Sequence, residues 1–100
     1  MQNNRVHVEG VVKRDARANE VRNGVRLLDF CLVVKAEEGP DTYVDVFAPT
    51  GASDGLNGFV REGEAIGVDG FLTFRTYTSE TGRKRSGLVV QAYDAYEIEE

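Results

Sequence analysis

Apolar and polar residues alternate with a period of two along most of this chain, the spacing that puts every second side chain on one face of a β-strand. Val6 and Val8 alternate with Arg5, His7 and Glu9, which predicts a first strand with one wet face. Val11 and Val12 extend it towards Lys13 and Arg14. A second strand is predicted from about Val25 to Lys35, with Leu28, Phe30, Leu32 and Val34 on one face. Val25, Leu27, Cys31 and Val33 make its other face partly apolar, as in a strand covered on both sides. Asn23-Gly24 between these strands is a tight-turn signal, because both residues tolerate positive φ. A third strand runs from Tyr43 to Ala48. Val44, Val46 and Ala48 point one way, Tyr43, Asp45 and Phe47 the other, and Pro49 cannot donate to a ladder.

The period changes once. Ala52, Leu56, Phe59 and Val60 fall at helical spacing, with Thr50 or Ser53 as a cap, which predicts one short helix over Gly51–Val60. Gly51, Gly55 and Gly58 weaken it, the interior ones by roughly 1 kcal/mol each relative to alanine. Glu62-Gly63 then turns into a fourth strand, about Glu64 to Tyr77. Ile66, Val68, Leu72 and Phe74 are expected on its core face, with a bulge or tight curvature at Gly67 and Gly70. Thr78–Gly82 reads as a hairpin tip and Arg85–Ile98 as a final strand of mixed pattern. Three strands, a short helix and two strands in a small antiparallel sheet need closure to protect their edges. The expected fold is therefore all-β: a five-stranded Greek-key barrel of the OB type, with the helix between strands three and four as a plug.

One hundred residues suit a single domain spanning 1–100. No apolar run approaches a membrane span, and the start Met1-Gln2-Asn3-Asn4 has no apolar leader core, so a soluble cytoplasmic protein is expected. Cys31 is the sole cysteine and His7 the sole histidine. That excludes an intrachain disulfide and a Cys/His zinc cluster, and Cys31 reads as a small buried hydrophobe. The glycine-rich segments lack the lysine-Ser/Thr ending of a phosphate loop, and no carboxylate pairs with His7 at catalytic spacing. No enzyme, metal or cofactor is expected. The net charge of −5 argues superficially against a nucleic-acid partner. Its distribution does not: residues 1–35 hold seven Lys/Arg against four Asp/Glu, and residues 75–85 hold four against one. A local positive surface is compatible with that segregation.

Several blocks carry a resemblance. Asn4-Arg5-Val6-His7-Val8-Glu9-Gly10, Arg14-Asp15, Arg22-Asn23-Gly24 and Phe30-Cys31-Leu32-Val33-Val34 are similar, in order and spacing, to segments of the bacterial single-stranded DNA-binding protein family. The longest block, Val60 to Tyr77, resembles that family's Leu-Lys-Lys-Gly followed by Val-Glu-Gly-X-Leu-X-Thr-Arg-X-Tyr, and Thr81-Gly82-Arg83-Lys84-Arg85 resembles its basic hairpin. The resemblance implies an OB-fold, single-stranded DNA as partner, and a homotetramer or dimer built by pairing of first strands. It also places Tyr43 and Tyr77 at stacking positions. The chain departs from the pattern at Pro49, where the family usually has an aromatic, at Thr73, where an arginine is frequent, and in its glycine-rich helix. The aromatic often found after strand two is absent from Lys35–Asp41. The family's flexible tail and acidic tip have no counterpart in residues 1–100, so the resemblance is to a short member.

Flat base faces and a charged backbone require exposed aromatics and cations on one surface. Strand parity nominates Tyr43 and Phe47 on strand three and Phe71, Arg75 and Tyr77 on strand four, in each case opposite the aliphatic face. Phe47 is the candidate to stand in for the aromatic missing at Pro49. Lys13, Arg14, Arg22, Arg75, Arg83, Lys84 and Arg85 are candidate phosphate contacts. His7 is expected at a subunit contact or on an ordinary surface strand, and Glu9 and Asp69 as solvated charge. The expected function is sequence-tolerant single-stranded DNA binding in replication, recombination or repair. The alternative is an OB-fold accessory module that docks proteins and binds nucleic acid weakly, which Pro49 and Thr73 favour. An RNA partner also remains open, because stacking platforms do not distinguish sugars.

Overall fold

The structure, a computed structural model, describes residues 3–20, 26–49, 60–78 and 81–98. Six strands appear in them: β1 (Val6–Val12), β2 (Arg17–Glu20), β3 (Arg26–Val34), β4 (Thr42–Pro49), β5 (Ala65–Thr78) and β6 (Lys84–Glu97). The sheet runs β1-β5-β6-β4-β3-β2, and an extra β1–β3 pairing closes it into a barrel. β4 and β6 run parallel, with Val46 opposite Val90, and every other pairing is antiparallel.

Closure depends on β1 serving two neighbours. It pairs with β5 from Val6↔Gly70 to Val11↔Ala65, then meets β3 at Val11↔Val33 and Val12↔Leu32. Gly10 permits the crossing, since a Cβ there would lie 2.7 Å from the Val33 carbonyl oxygen. The aliphatic parity of each strand then points inward. Leu28, Leu32, Val46, Ile66 and Val68 are almost fully buried, joined by Val12, Phe30, Ala48, Val60, Val90 and Ala92. Each large side chain so buried contributes about 1.5–3 kcal/mol.

Two sequence expectations need correction. The first concerns β2, which pairs with β3 from Arg17↔Asp29 to Glu20↔Arg26 and so continues the edge that β1 leaves at Val12. Its Arg-Ala-Asn-Glu sequence has no apolar alternation to announce it. Between the two strands, Ala16 N–H donates to the Val60 carbonyl (3.1 Å) and the Asp15 carboxylate accepts from Glu62 N–H (2.8 Å).

The second concerns Leu72 and Phe74, which are 44 % and 68 % exposed rather than buried. Their parity is the inward one, but β5 and β6 run past the barrel as a hairpin arm beyond the last β1 pair at Gly70. The mixed pattern expected of the final strand has its cause in a bulge. The register steps from Asp69↔Asp94 to Gly70↔Ala92, so Tyr93 is an extra residue and the inward parity changes from Val90 and Ala92 to Ala95. A Cβ at Gly70 would collide with the Gln91 carbonyl at this bulge.

No helix occurs among the described residues, and the expected one over Gly51–Val60 falls almost wholly on residues 50–59, outside them, as does the Asn23-Gly24 turn. Among the described residues, therefore, no helix is long and apolar enough to cross a membrane.

Candidate nucleic-acid interface

Outward parity brings Tyr43, Asp45 and Phe47 of β4 beside Asp29 and Cys31 of β3 on one side. On the other stand Arg75 and Tyr77 of β5 with Val89 and Gln91 of β6. Phe47 is 4 % exposed and Val89 2 %, and with Tyr77 they form a second, smaller apolar cluster outside the barrel. The Tyr77 ring meets Phe47 edge-on at 5.3 Å, and the Arg75 guanidinium lies 4.8 Å from the Phe47 ring centre. Arg75 also donates to Gln91 Oε1 (3.1 Å). Phe47 is thus a support beneath Arg75 and Tyr77, not the exposed ring that its sequence position suggested.

Tyr77 donates its hydroxyl to Asp45 Oδ2 at 2.6 Å, a contact across 32 residues of sequence. Burial, and then the Asp45 carboxylate that accepts this proton, push the phenol up to about 12. Next to it the Cys31 thiol, expected as a small buried hydrophobe, is half-buried, and burial followed by the Asp45 charge pushes it up as well. It therefore stays a neutral thiol near pH 7.

These groups line an open groove of about 440 Å³. Tyr43, 59 % exposed, stands in one wall, with the Lys13 ammonium 4.8 Å from its ring centre. Tyr77 and Arg85 stand in the other, and Arg14 and Arg17 line the β1–β2 side. Arg17 is held by a two-point contact with Asp29, at 3.2 and 3.3 Å.

Of the sequence-nominated residues, Lys13, Arg14, Tyr43, Phe47, Tyr77 and Arg85 line the groove. Arg75 lies against it through Phe47. Phe71, 38 % exposed, shares the outer parity of β5 but lies opposite Gln91 and outside the groove. Arg83 and Lys84 are exposed near the arm's tip, and Lys84, opposite Thr78, has the other parity from Arg85. Arg22 lies outside the described residues. Sequence reasoning gave no role to Arg17, Asp29, Asp45 or Gln91. Asp45 could have been found, since it sits between Tyr43 and Phe47 in a period of two; Arg17 had no such signal.

A separate polar cluster occupies the outer face of β1. His7 Nδ1 lies 2.6 Å from Asp69 Oδ1 and Nε2 lies 2.8 Å from Glu9 Oε2, with the Tyr96 ring stacked at 6.5 Å. Asp69 first, then Glu9, holds the imidazole above its ordinary value. Among the described residues no group of three or more His, Cys, Asp or Glu side chains is arranged to hold a metal ion.

A closed barrel with this strand order, carrying an open groove of cations and tyrosines on its outer face, defines an OB-fold barrel of the nucleic-acid-binding kind. The model of the single-strand binding protein family matches residues 3–97, and the chain belongs to that family. Its members bind DNA and are not enzymes. Among solved structures the chain is similar to a Plasmodium falciparum SSB in complex with ssDNA. The TM-score is 0.76 at 14 % identity, over 99 % of this chain and 97 % of that one. Likeness at that identity is likeness of fold. No curated protein matches the sequence.

Proposed function

We propose that this protein binds single-stranded DNA with little dependence on sequence, covering exposed strands during replication, recombination or repair. The observation that carries the reading is the groove that joins Tyr43 and Tyr77 with Lys13, Arg14, Arg17 and Arg85. Bases stack on the two tyrosines, each stack contributing roughly 1–3 kcal/mol, while the cations meet phosphates. Arg83 and Lys84 extend the positive surface along the arm. Family membership and the fold shared with a protein that holds ssDNA support the same reading.

Self-association through β1 belongs to this proposal. One edge of β1 pairs with β5, and the other meets β3 only at Val11 and Val12. The stretch Val6–Gly10 therefore presents a strand edge to a second copy. Titration of oligo-dT of increasing length at two salt concentrations, with mass followed by light scattering, tests both parts. Tight, salt-sensitive, length-dependent binding by an oligomer supports them, and absence of binding at low salt overturns the first.

One observation favours a second reading, a protein-docking module. Leu72, Phe74 and Leu88 expose 44 %, 68 % and 70 % of their surface side by side on the arm. A contiguous apolar patch of this kind fits a protein partner better than a phosphate backbone.

A further inference from the structure

We propose that Asp45 reads the Watson–Crick edge of one bound base and gives the groove a preference for guanine over thymine. The inference rests on the single-strand binding reading and adds to it a specificity-determining residue.

The groove separates its charges. Lys13, Arg14 and Arg85 supply positive charge, while Asp45 sits on the central strand between two aromatic positions, Tyr43 and Phe47. A carboxylate in such a place repels phosphate, so the part of a nucleotide that meets it is a base edge. Of the two other carboxylates that line the groove, Asp29 is matched by two guanidinium contacts from Arg17, and Asp15 accepts from the Glu62 N–H. Asp45 is held by a hydroxyl, from Tyr77 to Oδ2. An ionised carboxylate offers about four acceptor positions and no donor. One hydroxyl and the neighbouring neutral thiol of Cys31 leave acceptor capacity for a ligand.

Unpaired bases present their edges openly. Guanine offers two adjacent donors, N1–H and the 2-amino group, which match two carboxylate oxygens. Cytosine and adenine each offer one amino group. Thymine flanks its single N–H with two carbonyl oxygens that a carboxylate repels. The expected order is guanine, then cytosine and adenine, then thymine. Tyr77 fixes the carboxylate's orientation, so that the acceptor is set before the base arrives.

The test compares oligo-dT with oligomers repeating thymine-thymine-guanine and thymine-thymine-hypoxanthine, at one salt concentration, on the wild-type chain and on Asp45→Asn. Hypoxanthine keeps the purine ring and N1–H but lacks the 2-amino group, so stacking alone predicts equal binding of the two purine oligomers. Readout by Asp45 predicts about tenfold tighter binding of the guanine oligomer than of oligo-dT, with hypoxanthine between them. The amide introduced by Asp45→Asn retains an oxygen to accept from Tyr77, and in that variant the guanine advantage over oligo-dT shrinks. Wild-type binding equal for all three oligomers, or a guanine advantage undiminished by Asp45→Asn, overturns the inference and leaves strand binding intact. Failure of the wild-type chain to bind any of them overturns both.

Discussion

The two faces of the β5–β6 arm share strands, register and alternation, yet their aromatic residues fare differently. On one face Tyr77 and Arg75 close over Phe47 and Val89, and Phe47 is 4 % exposed. On the other, Phe74 and Leu88 pair across the strands and remain 68 % and 70 % exposed. What differs is the neighbour, because β4 lies against the first face and nothing among the described residues covers the second. Alternation assigns a side chain to a face; only a third element decides whether that face is interior.

Truncation gives the largest expected separation between the faces. Phe47→Ala should cost about 3 kcal/mol in urea unfolding, because it empties a closed cluster. Phe74→Ala, on the uncovered face, should stay within about 0.5 kcal/mol. Equal losses would mean that the second face is covered in solution.

Binding should separate them next. Tyr43→Ala is expected to weaken oligo-dT binding roughly tenfold, whereas Leu88→Ala leaves it unchanged.

The Tyr77 hydroxyl adds a pH signature to the covered face. Its folded pKa, about 12, lies above the ordinary 10, so its stabilisation is complete below pH 10 and is lost as pH rises to about 12. Urea midpoints of wild type and Tyr77→Phe should therefore converge on alkaline titration.

Adjacent cations test the faces more finely. Arg85→Ala should flatten the log–log salt dependence by about 0.7, the value for one phosphate contact on a single strand. Lys84→Ala, at the opposite parity, should change it less.

The smallest effect concerns His7, away from the arm. Its raised pKa means that its contribution to stability is present at low pH and is lost as pH rises through the folded value. An NMR titration should place this imidazole above an ordinary histidine, and substitution of both Asp69→Asn and Glu9→Gln should return it.

The same distinction explains what the sequence made legible. The alternations around Leu28–Val34 and Val44–Ala48 placed the core faces correctly, since both strands have neighbours on each side. The alternation through Leu72 and Phe74 continued past the end of the barrel, where the chain's local pattern holds no information about distant strands. Residues 17–20 form a strand because the edge of β3 needs a partner, not because of their own pattern. In the site, parity placed Tyr43, Arg75 and Tyr77 on outer faces. The Tyr77–Asp45 hydrogen bond and the burial of Phe47 arise from packing between β4 and the arm, which no local spacing encodes.

The seam between β1 and β3 is two residue pairs long, whereas the β5–β6 ladder runs the full length of both strands. Local opening takes the shorter route, so the amide of Lys13, which donates to the Cys31 carbonyl across that seam, should exchange with solvent well before those of the arm. Lys13, Arg14 and Arg17 stand at the end of that seam, and Tyr77 and Arg85 on the arm. The side of the groove at that seam should therefore open more readily than the side on the arm. For a DNA strand lying in that groove, fraying this one short contact would widen the site without unfolding the barrel that presents it.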